Sequence, residues 1–137
     1  MRRLSEARAQ EIIAELLTDQ QVDATAGWTI AIGHDQPLDV DFRLAGGRFG
    51  IEWVSEQDRA DYGDALPQPA DGGQLRIMPG HGSDQSAQIL ILDHVSYDYA
   101  NEREHVQRGV TGASETEERL RRDVLDFLEF VRGQGGP

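Results

Sequence analysis

The sequence predicts an α+β fold, in which a mostly antiparallel sheet of about five strands carries an N-terminal and a C-terminal helix on one face. Two helical stripes and one hairpin pattern predict it. Ala9, Ile12, Ile13, Leu16 and Leu17 recur at the spacing of a single helix face, and Leu120, Val124, Phe127, Leu128 and Val131 do the same near the other end. Between them, apolar and polar residues alternate across Leu38 to Leu44 and again across Phe49 to Trp53. The Gly46-Gly47 pair that separates these runs suits the positive φ angles of a hairpin turn.

The first helix is predicted from about Glu6 to Thr18, with Ser5 placed to cap it. Trp28, Ile30 and Ile32 alternate with Thr29 and Ala31 as a half-buried strand, which Gly33 to Pro37 breaks. Counting outward from the twin glycines sets Leu44 opposite Phe49, Phe42 opposite Ile51 and Val40 opposite Trp53, all on one side of the sheet. From Glu56 to Gly73, Asp58, Asp61, Asp64, Pro67, Pro69, Asp71, Gly72 and Gly73 are turn and breaker signals, and a long loop is predicted. A loop of that length in a small domain is often functional, unless it conceals a short helix, and the residue pattern of 56–73 does not decide between the two. Leu75 to Met78 reads as a short strand closed by Pro79-Gly80, and Gly80 to Asp84 as a turn. Ile89 to Leu92 is an unbroken apolar run that Val95, Tyr97 and Tyr99 extend into a long strand. After a polar connection from Asn101 to Gly112, Ser114-Glu115-Thr116-Glu117 has the spacing of a capping box for the last helix, which Gly133 ends. Residues 1–132 therefore read as a single domain, 133–137 as a disordered tail, and no internal repeat is present.

The 137 residues suit one core, and the 38% apolar fraction is clustered enough to build it. Absence of cysteine excludes disulfides, thiolate metal sites and thiol nucleophiles. The N-terminus carries no signal-peptide pattern and no run approaches a bilayer span, so a cytoplasmic protein without membrane contact is expected. The net charge of −12 comes from 25 acidic and 13 basic side chains, and every basic residue is arginine. Without lysine, a P-loop lysine and a Schiff-base lysine are excluded. The acidic balance also disfavours nucleic acid, which would need a local arginine patch. The only concentrations are Arg2, Arg3 and Arg8, and Arg119, Arg121 and Arg122, each set among acids on a predicted helix and read as a solvated face.

The hairpin register also sets Asp41 opposite Glu52 on the other side of the sheet, with Asp39 two residues away. Like charges facing each other across strands need a cation, a shared proton or a nearby arginine, and paired carboxylates can hold a divalent metal. Over residues 5 to 55 this arrangement resembles the metal-dependent restriction-nuclease-like fold, whose core is a helix and a three-stranded meander carrying an Asp and then Glu-x-Lys. Asp41 and Glu52-Trp53-Val54 occupy those positions. The resemblance implies Asp39, Asp41 and Glu52 as metal ligands, and Val54 in place of the lysine implies a degenerate, inactive site. The plainer expectation is a solvated sheet face on which Arg43 relieves the charge.

His34, His81, His94 and His105 have no metal-motif spacing, and the Asp93-His94 pair is the nearest approach to one. His81 lies on a glycine-flanked turn without an oriented partner, and Ser83 and Ser86 lack a nucleophile-elbow context. No cofactor is expected. What remains is a non-catalytic, acidic protein-binding domain of chaperone-, immunity- or regulator-like kind, whose charge favours a partner with a basic surface. Tyr62, in the predicted long loop with Asp58, Arg59, Asp61 and Asp64, is the candidate anchor for that partner. In size, charge and terminal helices the chain is similar to the small acidic chaperones of secreted effectors and to toxin-neutralising immunity proteins. The chaperone pattern includes a helix in mid-chain, where this sequence carries its Pro- and Asp-rich segment. A homodimer stays open, although the polar sheet face and charge repulsion oppose it.

Overall fold

Ser5 starts the first helix by accepting the Arg8 N–H at 3.1 Å, and α1 (Glu6–Asp19) buries Ala9, Ile12, Ile13, Leu16 and Leu17 as its stripe predicts. A computed structural model describes residues 5–33, 36–68, 75–97 and 112–136. After α1 come β1 (Ala24–Thr25), β2 (Trp28–Ile32), β3 (Gln36–Val40), β4 (Phe42–Leu44), β5 (Phe49–Val54), α2 (Glu56–Tyr62), β6 (Ile77–Pro79), β7 (Gln88–Asp93) and α3 (Gly112–Gly133). The chain is a single α+β domain in which a five-stranded sheet, ordered β1-β4-β5-β7-β6, is joined by a separate β2-β3 hairpin. Most pairings are antiparallel; β5 and β7 run parallel, from Phe49↔Gln88 to Val54↔Asp93.

Alternation along β5 and β7 explains the layers. Phe49, Ile51, Trp53, Leu90 and Leu92 point to a core shared with α1 and α3, so both terminal helices lie on one face. Ile89, Ile91 and Val54 point the other way, into a second core that the β2-β3 hairpin covers with Ile30, Ile32, Leu38 and Val40. Both faces are dry, which is why Ile89 to Leu92 reads as an unbroken apolar run. Arg8 joins the helices by donating from Nε and Nη2 to Glu117 at 3.1 and 2.9 Å, a pairing that holds the Glu117 carboxyl below the usual range.

The hairpin differs from its predicted form. Phe42↔Ile51 is in the expected register, but the strand breaks at Asp41, and Val40 pairs with Trp28 and enters the second core instead of facing Trp53. The turn is centred on Ala45 and Gly46, with φ of 51° and 64°, and Gly47 N–H donates to Leu44 O at 3.0 Å. Gly47 is thus the closing residue of the turn rather than a central one. Gly50 meets the crossing point of the hairpin, where an added Cβ would lie 2.8 Å from Val40 and 2.9 Å from both Trp28 and Phe42 O. Gly50→Ala is therefore expected to cost about 1–3 kcal/mol, read as a lower urea midpoint.

Two other boundaries depart from expectation. The long strand ends at Asp93, because its carboxylate accepts the Val95 N–H at 3.1 Å and turns the chain into a 3₁₀ turn, His94–Ser96. Tyr97 then packs on Trp53 with ring centroids 5.5 Å apart and donates its hydroxyl to Asp123 at 2.5 Å, while Tyr99 lies outside the described residues. The last helix begins at Gly112, two residues before the predicted cap at Ser114, whose box side chains are not all among the described residues. At its other end Gly135 has φ 84° and Gly136 N–H returns to Val131 O at 2.9 Å, so residues 134–136 fold back on the helix.

Candidate functional site

The break at Asp41 creates an unusual polar site among the described residues. The Asp41 N–H donates to Glu52 Oε1 at 3.0 Å, and the Trp53 N–H donates to Asp41 Oδ2 at 2.9 Å. Side chains thus replace the ladder bonds that a continuous strand would make with β5. Asp41 also accepts a hydrogen bond from the Gln10 amide of α1, and the Asp41 and Glu52 carboxyls are hydrogen-bonded to each other.

Glu52 is only 3% exposed, because the β2-β3 hairpin folds over the sheet face that alternation assigns to it. The expectation of a solvated face is therefore wrong for this residue. Burial first, and the neighbouring Asp41 charge second, push its carboxyl up to about 10, so it is neutral at physiological pH. Burial also raises Asp41 above the usual carboxylate range. A proton kept on Glu52 can therefore be donated to the Asp41 carboxylate, which offsets the like-charge contact. Glu6 of α1 and Asp58 of α2 add negative charge from two further elements, and Glu6 is itself raised by burial and then by Asp41.

Arg43 does not relieve this charge: it lies over the Trp28 ring, 4.6 Å from the centroid, and donates Nε to Gly47 O at 2.8 Å. Asp39 stays on the exposed rim of the hairpin, accepting from Thr29 Oγ1 at 2.6 Å. The structure therefore brings Asp41 and Glu52 together and leaves Asp39 out of their contact. Among the described residues, no three His, Asp or Glu side chains form a group that could hold a metal ion.

The segment predicted as a loop after Ser55 contains α2 and a 3₁₀ turn, Gly63–Ala65. Ser55 Oγ accepts the Asp58 N–H at 3.1 Å and Asp58 Oδ2 accepts the Ser55 N–H at 3.2 Å, a complete capping box written as Ser55-Glu56-Gln57-Asp58. The breaker signals around Asp61, Asp64 and Pro67 obscured it. Arg59 turns inward, donating to Pro67 O at 2.8 Å and pairing with the buried Asp93 carboxylate. Asp61 and Asp64 are exposed, Asp61 accepting from Gln57 at 2.9 Å. Tyr62 is half-buried against the second core, its hydroxyl raised by burial and then by Asp58. Of the five residues expected to meet a partner, Asp58 and Arg59 thus serve the helix and its docking, while Asp61, Tyr62 and Asp64 reach the surface.

Of the four histidines, His81 and His94 lie among the described residues. His94 is buried with Nδ1 3.0 Å from Val54 O and 3.2 Å from Asp93. The His81 N–H donates to Ala31 O at 2.9 Å, and Asp84 accepts the Ala31 N–H at the same distance, so the turn is tied to β2. His34, His105, Arg2, Arg3, Asp71, Gly72 and Gly73 lie outside the described residues. Gln10 and Glu6 are the site residues that sequence reasoning missed; their position on the polar side of the α1 stripe carried no sign of what they would face.

Comparison with family models, with curated proteins and with solved structures finds no match to the chain. No helix among the described residues is long and apolar enough to cross a membrane.

Proposed function

We propose that this chain is a non-catalytic, acidic protein-binding domain of the chaperone-like kind, which engages a partner with a basic surface. The observation that carries the reading is α2. It supplies the mid-chain helix that the chaperone pattern includes, between the β5 and β6 strands, and gives the order helix, strands, helix, two strands, helix. The helix buries none of its own residues and presents Glu56 and Asp61 outward, with Asp64 exposed on the 3₁₀ turn that follows, while its one arginine is committed to Asp93. Net charge of −12 speeds encounter with a basic partner and makes it salt-dependent. Affinity capture on wild type and on an Asp61→Arg/Asp64→Arg variant tests the reading. A basic protein is expected to be retained by wild type, weakened about tenfold or more by the variant, and released by salt; equal retention by both would overturn it.

One observation favours a second reading, a degenerate metal-dependent nuclease-like domain: Asp41 and Glu52 do sit in contact, as that resemblance requires. Calorimetry with Mg²⁺ or Mn²⁺ separates the two. Saturable heat that disappears in Asp41→Ala supports the metal reading, and its absence supports the binding module.

A further inference from the structure

A groove of about 580 Å³ runs between the C-terminal half of α1 and the β1-β4 edge of the sheet. Leu17, Val22, Ala24 and Phe42 supply apolar wall, and its only charged lining residues are Asp23 and Asp41. It opens beside β1, the outermost strand, both of whose residues are exposed. We propose that this groove seats an arginine or lysine side chain of the protein partner, with the aliphatic stem along the apolar wall and the cationic end against Asp41. The proposal rests on the protein-binding reading and names the chemistry that the partner must present.

Shape and charge argue for this occupant together. Long basic side chains bury their methylene stems on apolar surface while keeping the charged end on polar groups, which matches a groove lined both by apolar side chains and by the acidic residues Asp23 and Asp41. The titratable groups facing Asp41 are Glu6 from α1, Glu52 from β5 and Asp58 from α2, all acidic, its other partners, the Gln10 amide and the Trp53 N–H, are neutral, and Arg43 is engaged with Trp28 and Gly47. Asp41 is thus charge-paired only by the proton it shares with Glu52. An arriving guanidinium or ammonium replaces that proton. Binding then releases a proton and tightens as pH rises, the reverse of what simple protonation of a partner histidine would give.

The test uses the whole chain and an acetylated, amidated Gly-Leu-Arg-Leu-Gly peptide, with a citrulline counterpart of the same shape but no charge. Amide chemical-shift titration is expected to give saturable shifts at Leu17, Val22, Ala24 and Phe42 with the arginine peptide. Affinity should fall about tenfold with citrulline and in Asp41→Asn, and rise from mildly acidic to mildly alkaline solution. Ala24→Trp fills the groove from an exposed position that the core does not use, and should abolish the shifts without touching the carboxyl pair. Equal binding of the citrulline peptide, or unchanged binding in Ala24→Trp, would overturn the proposal. Shifts gathered instead around Asp61 and Asp64 would also overturn it while leaving the protein-binding reading standing. If no basic peptide binds anywhere and affinity capture retains no basic protein, both fall.

Discussion

Replacing Glu52 by Gln is expected to stabilise the protein by on the order of 2 kcal/mol at neutral pH, visible as a rise of several degrees in Tm. Few buried polar substitutions act in that direction. In the unfolded chain Glu52 loses its proton near the ordinary value of 4.5, whereas in the folded chain it keeps the proton up to about 10. Across that window the native state binds a proton that the unfolded state has released, so stability falls as pH rises and is greatest on the acid side. A glutamine copies the protonated acid: its Oε1 can accept the Asp41 N–H and its amide can donate to the Asp41 carboxylate. It does so without a proton to hold. Thermal melts of wild type and Glu52→Gln over a pH series should therefore diverge as pH increases, with the variant the flatter of the two. Equal Tm values throughout would mean that the carboxyl pair carries no such linkage.

The second large effect is expected at Arg59. Its guanidinium ties α2 to the end of β7 through the Asp93 carboxylate, itself 3% exposed, and to the Pro67 carbonyl at 2.8 Å. Arg59→Ala leaves that carboxylate buried beside His94 without its cation and frees α2 from the sheet. The expected cost is about 3 kcal/mol, toward the lower end for breaking a buried pair because the arginine side chain is 25% exposed. Asp93→Asn in the same chain should recover part of the loss, since it removes the stranded charge and keeps a side chain that can still accept the Val95 N–H. Urea unfolding of the two variants measures both. No recovery in the double variant would show that the lost carbonyl bonds, rather than the charge, dominate.

What the sequence revealed and concealed follows from the range of the interactions involved. The α1 and α3 stripes and the strand faces were legible because period and burial agree within each element, from Ala9 to Leu17 and from Leu120 to Val131. The contact between Asp41 and Glu52 was legible because the register around the turn is local. Their environment was not, because Glu52 is dry only by virtue of the β2-β3 hairpin folding across it, a tertiary event that alternation along β5 cannot announce. The break at Asp41 has the same origin: Val40 follows the second core and Phe42 the sheet, so one apparently continuous strand serves two layers. α2 was hidden for a different reason. Its capping box lies in Ser55 to Asp58, but the helix lacks a buried stripe, so no periodicity marks it. The parallel pairing of β5 with β7 depends on the path of the intervening segment and leaves no trace in either strand.

The central question at this site is whether Asp41 and Glu52 are closed by a proton or built for a metal. The most direct measurement is the side-chain carboxyl carbon of Glu52, followed by NMR through a pH titration with and without millimolar Mg²⁺. A neutral carboxyl that persists past physiological pH, titrates near 10, and ignores Mg²⁺ is the predicted result. A midpoint in the ordinary glutamate range, or a saturable shift on adding Mg²⁺, would contradict it.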